Sequence, residues 1–314
     1  MKKGALQISF GWLFAIIVGA VVLFLAIYMA TKIMKSEQTV LNTETAKRLG
    51  VLTNPLETGF ETGSRNIIEL PSETRIYNTC SASNNKFGKQ IISVSQKALG
   101  KWPDKGVEVS FENKYLFSEN ILEGKTFYLF SKKFNYPFKV TDLIIIIPTS
   151  KKYCFIDADE EIKNEFAHLE LDNVLFENCS GKETRVCFSD RDNCDVKVNL
   201  YQKYVQKENK EMYFIGDSLD FTDNALMYSA IFSSPEVYEC QLKRLMKRID
   251  KLSELYVLKA GIISQKGCNT NLISELAQLS NSAINLESSR DILLINQIVK
   301  TTQEKNEDQT CRLW

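Results

Sequence analysis

Hydrophobic positions fall into three regimes along the chain. The first is a continuous block: Gly4 through Thr31 holds 28 residues without a charge. At about 1.5 Å of rise per residue this is roughly 42 Å of helix, against a hydrocarbon core of about 30 Å. Thirteen Leu, Ile, Phe or Val lie between Ile8 and Ile27. At about −0.3 to −0.6 kcal/mol each they favour insertion by about 4 to 8 kcal/mol. Trp12 and Tyr28 stand where interfacial aromatics anchor a span. The block exceeds the core of a cleavable secretory signal, about 7–15 residues, so residues 1–34 are expected to form a retained transmembrane helix. No Gly or Pro interrupts Ala20 through Leu49, so the helix is expected to continue past the bilayer. There its apolar positions thin to Ile33, Met34, Val40, Leu41, Ala46 and Leu49. Such a stripe fits either helix packing in an assembly or docking on the chain's own head. Gly50 is a stop signal and residues 53–64 are rich in turn formers, so 35–64 read as stalk and linker.

Over residues 65–220 the pattern changes to short β runs. Asn66 to Leu70 and Thr74 to Thr79 flank Pro71-Ser-Glu73 as an expected hairpin. Further runs are Val107 to Phe111, Thr126 to Phe130, Leu143 to Ile147, Tyr153 to Ile156, Val174 to Phe176, Arg185 to Phe188 and Val196 to Leu200. The last extends through Tyr204 into a hairpin that turns at Lys207-Glu-Asn-Lys210 and returns over Met212 to Ile215. Nine or more strands in some 155 residues imply an antiparallel, β-rich, sandwich-like domain. One helix is expected inside it, where the acidic Asp157, Asp159, Glu160 and Glu161 precede Ile162, Phe166 and Leu169.

Residues 221–314 carry a helical period. Ser234-Pro235-Glu236 is a start signal, and Leu242, Leu245, Ile249, Leu252 and Tyr256 recur at threes and fours. A break at Gly267-Cys-Asn269, a segment around Leu272 to Leu279 and a last helix near Asp291 to Asn306 complete a helical hairpin or bundle. The expected class is α+β: a transmembrane helix with extended stalk, a β-rich domain and C-terminal helices.

Charge narrows the function classes. With 39 Lys+Arg against 39 Asp+Glu the chain has no bulk attraction for a polyanion, and no nucleic-acid partner is expected. One histidine, His168, removes every His pair as a metal site. Neither a GxGxxG nor a GxxxxGK[ST] loop occurs, and no cofactor is expected. The eight cysteines are Cys80, Cys154, Cys179, Cys187, Cys194, Cys240, Cys268 and Cys311. Scattered and without a CxxC pair, they suit disulfides better than metal or redox chemistry. Lys2 and Lys3 before the span against Lys32, Lys35, Lys47 and Arg48 after it lean toward a cytoplasmic body by charge alone. The cysteines outweigh that lean and place the bulk of the chain outside the cytoplasm. Eight cysteines allow on the order of 100 pairings; by placement, Cys268 with Cys311 staples the helical hairpin, and two of Cys179, Cys187 and Cys194 close a local loop.

Other constellations have competing explanations. Asp190, Asp192 and Asp195 start like a calcium loop but lack its glycine, and a solvated turn is the simpler reading. Lys243, Arg244, Lys247, Arg248 and Lys251 share one helix face, which either meets an anionic partner or is solvated and paired with Glu304, Glu307 and Asp308. Asn178-Cys-Ser180 matches an N-glycosylation sequon.

Lys2-Lys3-Gly4, with Gln7 and then an unbroken apolar helix, resembles the class III signal of archaeal type IV pilin-like proteins. The resemblance implies cleavage after Gly4 and assembly through the N-terminal helix, with Ser9 at the fifth mature position. Ile8-Ser-Phe-Gly11, Asn54-Pro-Leu-Glu-Thr58 and Cys311-Arg-Leu-Trp314 look like uncharacterised single-pass archaeal membrane proteins, which supply no activity. The expected function is that of a membrane-anchored, non-catalytic cell-envelope protein, assembling or adhesive. Its expected partners are membrane lipid and, through the N-terminal helix, copies of itself or other envelope proteins. The alternative is a tethered ligand- or glycan-binding module stacking on Trp102, Tyr115, Tyr128 or Tyr136. A hydrolase or thiol oxidoreductase ranks third.

Overall fold

The computed structural model describes residues 10–52, 65–82, 87–98, 100–176, 179–191, 193–216, 224–268 and 270–314. The apolar block and the stalk form one helix, α1 (Phe10–Leu52), long and apolar enough to cross a membrane. Gly4, Asn178, Asp192 and the linker at 53–64 lie outside the described residues.

The first sheet holds β1 (Arg65–Ser81), β2 (Lys89–Gln96), β3 (Val109–Phe111), β4 (Leu116–Phe117), β5 (Ile121–Asn135) and β6 (Lys139–Pro148), in the order β3-β2-β1-β5-β6-β4. The expected hairpin at Pro71 is absent: β1 runs straight through it. Arg65 to Glu69 and Thr74 to Tyr77 both pair with β5, with a bulge between Glu69 and Thr74. A bulge tolerates the missing proline N–H as well as a turn does, so the local signal did not separate the two.

Neighbouring positions on β5 and β6 serve two cores. Phe130, Leu143, Ile145 and Ile147 join the larger one, while Phe127, Leu129, Ile144 and Ile146 join a smaller one with Ala46 and Leu49 of α1. The unbroken Leu143 to Ile147 run is thus a strand buried on both faces, which needs no polar alternation.

The second sheet holds β7 (Tyr153–Ile156), β8 (Val174–Leu175), β9 (Thr184–Cys187), β10 (Val196–Asn199), β11 (Tyr204–Lys207) and β12 (Lys210–Tyr213), in the order β12-β11-β10-β9-β7-β8. Only β10-β11-β12 is antiparallel; β7 pairs in parallel with β8 and β9, and β9 with β10. The uniformly antiparallel sandwich is therefore corrected to two sheets, both mixed, since in the first β4 pairs in parallel with β6. In the second the cause is α2 (Glu160–Leu169), the expected embedded helix, whose length carries the chain back over the sheet so that β8 starts beside β7 in the same direction. Asp159 caps it, accepting from the Ile162 N–H at 2.9 Å.

The C-terminal helices are α3 (Ala225–Phe232), α4 (Pro235–Gln265), α5 (Ile273–Ile284) and α6 (Ile292–Glu307), with a short 3-10 turn at Ser289–Asp291. Every residue of α3 is buried, and one continuous core extends from Tyr115 through both sheets to Leu313. The helices thus share their interior with the β region and complete it.

Candidate functional site

Above the apolar segment, α1 has two distinct faces. Asn42, Thr45, Ala46, Leu49 and Gly50 are buried. The Gln96 N–H donates to Asn42 Oδ1 at 3.1 Å, and Gln96 Nε2 to Thr45 Oγ1 at 3.4 Å. The approach depends on small residues: a Cβ on Gly50 would lie 2.1 Å from the Phe111 ring, and one on Gly106 would lie 2.7 Å from Asn42 Cβ. At about 100° per residue, Ile33, Val40 and Val51 fall within about 20° of one line, on the side opposite Asn42 and Leu49. They are 59%, 63% and 64% exposed. The stripe read from the sequence therefore divides: Ala46 and Leu49 dock on the head, and the other side of the helix exposes Ile33, Val40 and Val51 among Glu37, Lys47 and the Glu44–Arg48 ion pair at 2.7 Å.

All eight cysteines are paired: Cys80–Cys240, Cys154–Cys179, Cys187–Cys194 and Cys268–Cys311, with Cα separations of 5.9–6.0 Å, inside the normal disulfide range. Cys187–Cys194 pins the tight crossover between parallel β9 and β10. Cys268–Cys311 ties the C-terminal tail to the end of α4, and Cys80–Cys240 joins β1 to α4.

The basic face on α4 is corrected. Arg244 is 0% exposed and points inward, donating to the carbonyls of Lys114 (2.7 Å), Glu112 (2.8 Å) and Phe87 (3.2 Å) and to Gln241 Oε1 (2.7 Å). Its guanidinium also lies 4.7 Å from the Tyr115 ring centre. Burial pushes it down to about 10, so it stays charged at neutral pH. Its five N–H donors satisfy carbonyls at strand ends that no ladder reaches, which a helical wheel does not register. Gln241 Nε2 donates to the Leu116 carbonyl at 3.1 Å and to Gln90, which in turn donates to Asn78. Lys243, Lys247 and Arg248 are half-buried. Exposed Lys251 pairs with Asp250 (3.1 Å) and Glu254 (2.9 Å) rather than with the acidic residues of α6. Arg244 therefore leaves the basic face, while Lys243, Lys247, Arg248 and Lys251 stay at least partly exposed.

The other charged groups also have structural partners. Glu119 accepts from Lys207 and, at 3.2 Å, from Lys151, and Lys207 Nζ donates to the Ser233 carbonyl at 3.0 Å. Burial pushes the Glu119 carboxyl up, but its two lysines together outweigh that and hold it below the usual carboxylate value. At Lys207 burial outweighs the single carboxylate and lowers the ammonium. Glu165 bridges Lys132 and the Tyr228 hydroxyl, the latter at 2.6 Å. In the acidic loops, Asp157 holds Arg191 at 2.7 Å and Asp195 accepts from the Arg185 N–H at 2.7 Å. His168 lies exposed on α2, its Nδ1 3.2 Å from the Asn164 carbonyl. Among the described residues no group of three or more His, Cys, Asp or Glu is placed to hold a metal ion.

Of the four aromatics weighed for stacking, Tyr115, Tyr128 and Tyr136 are buried. Trp102 is covered by Arg75 at 4.1 Å and Lys97 at 5.5 Å. A different aromatic group reaches the surface. Exposed Tyr201 and half-buried Tyr204, over the buried Tyr213, line an open concavity of about 520 Å³ with Lys203, Glu211 and Arg290. The β10-β11-β12 meander was readable in the sequence; its meeting with the 3-10 turn before α6, which brings Arg290, was not. No family model, no curated protein and no solved structure matches the chain.

Proposed function

We propose that the chain is a membrane-anchored, non-catalytic protein of the cell envelope. Its head lies outside the cytoplasm, and it assembles through its N-terminal helix with copies of itself or other envelope proteins. The observation that carries the reading is the division of α1: one face docks the head, while Ile33, Val40 and Val51 opposite it, and the whole apolar segment below, have no cover within the chain. An apolar face of this kind on a membrane-proximal helix is buried by lipid or by another helix. Four disulfides favour the oxidising side of the membrane, and the resemblance of Lys2-Lys3-Gly4 to a pilin-like signal agrees with assembly. The non-catalytic reading rests on the roles of the charged groups, which tie strands and helices together. A tethered glycan-binding module is the second reading, and the Tyr201–Tyr204–Tyr213 concavity favours it.

Topology is tested by treating intact producing cells with a membrane-impermeant maleimide, before and after an impermeant reductant. The expected result is no labelling before reduction and labelling after it. Labelling that appears without reductant, and only once the cells are lysed, contradicts an oxidised external head.

A further inference from the structure

The concavity on the second sheet has a composition that selects a ligand class. Tyr201, at the β10-β11 turn, is 95% exposed, and among the described residues its side chain makes no hydrogen bond or ring contact. Tyr204 and Tyr213 lie behind it with ring centres 5.7 Å apart, tilted by 54°. Two cations flank the rings. Arg290 is exposed and lies 5.5 Å from the Tyr213 ring centre, and Lys203 projects from the turn in a left-handed conformation. Among the described residues neither forms an ion pair. The local carboxylate, Glu211, already accepts the Tyr213 hydroxyl at 2.6 Å.

The frame under these groups is fixed before any ligand arrives. The Tyr213 N–H donates to Ser289 Oγ at 3.0 Å, and the Ser289 N–H to Glu239 at 2.9 Å. Asn199 Oδ1 accepts from the Gln202 N–H at 2.8 Å, holding the turn that presents Tyr201 and Lys203. The backbone under the site is therefore already ordered, and binding has to order only the side chains that reach the ligand.

A ligand that satisfies both halves of this surface carries flat C–H faces for the electron-rich tyrosine rings and a carboxylate for the guanidinium. Two cations form no track along a nucleic-acid backbone. We propose that the concavity binds an acidic saccharide, with Tyr201 and Tyr204 stacking on sugar rings and Arg290 holding a uronate carboxylate. This deepens the second reading above and is independent of assembly through α1.

The test is calorimetric titration of the full chain, in a non-glycosidic detergent, with trigalacturonate and with neutral maltotriose. Trigalacturonate is expected to bind at least about tenfold more tightly than maltotriose, a difference of about 1.4 kcal/mol. Tyr201→Ala and Arg290→Gln, both on exposed side chains, are each expected to weaken it about tenfold with an unchanged melting temperature. Equal binding of the two sugars overturns the acidic selectivity and leaves a glycan-binding module standing; binding of neither removes the module as well. Loss in Arg290→Gln with none in Tyr201→Ala means ion pairing without a sugar-stacking site and also overturns the proposal.

Discussion

Two helices lean on the first sheet, and they are held in opposite ways. At α4 the junction is locked by the Cys80–Cys240 disulfide, by the buried Arg244 fork on three strand-end carbonyls and by Gln241 reaching Gln90. At α1 the junction is a close approach of small or short side chains, Asn42, Thr45, Ala46 and Gly50, with Leu49 and a few polar contacts. The locked helix turns Arg244 inward. The lightly docked helix leaves Ile33, Val40 and Val51 uncovered on its far side, among charged residues, and these are what a neighbour would meet if that same helix also assembles. Basic residues on α4 therefore say little about partners, while plain aliphatic residues on α1 say much.

Arg244→Met gives the largest expected effect, because it removes the lock from α4 while keeping apolar volume. Three carbonyls and Gln241 lose a charged donor inside the protein, and the loss is expected at about 3–5 kcal/mol. Chemical denaturation of the full chain measures it, and Arg244→Lys should recover little, since an ammonium cannot reproduce the fork. A loss below about 1 kcal/mol would make the α4 junction no stronger than the α1 junction and dissolve the contrast.

The Glu119 cluster sharpens the same comparison at the start of α4, where Lys207 holds the Ser233 carbonyl just before the helix begins. Glu119→Gln leaves Lys207 without its bridging carboxylate, with only the weaker pull of Glu208 as counter-charge, at an expected cost of about 1–3 kcal/mol. The sign with pH follows from the depressed carboxyl. Its stabilisation is fully present above the ordinary carboxylate value of 4.5 and is lost as pH falls through the lower folded value. Melting temperatures at pH 6 and pH 3 should therefore differ more for the natural protein than for Glu119→Gln; equal differences would deny the cluster its role.

What the sequence revealed, and what it withheld, follows from the range of each interaction. The long apolar helix was legible because insertion energy sums over contiguous residues, and the β10-β11-β12 meander was legible because turns are local; Glu208 and Asn209 take the positive φ that such a turn requires. The β1 bulge was misread as a hairpin because Pro71 fits both. All-buried α3 left no trace because a helix apolar on every side has no period to detect. Arg244 and the tyrosine concavity depend on contacts between segments far apart in the chain, such as Arg244 with Lys114 and Tyr213 with Ser289, and neither leaves a mark in local spacing.

The bare face of α1 is tested most directly by photo-cross-linking the full chain in lipid bilayers, with a benzophenone amino acid placed at Val40 or at Thr45. At Val40 illumination should capture a second copy or another envelope protein, giving a product of higher mass. At Thr45 it should close only onto the chain's own β2. A Thr45 product that forms while Val40 yields monomer alone would contradict assembly through this helix.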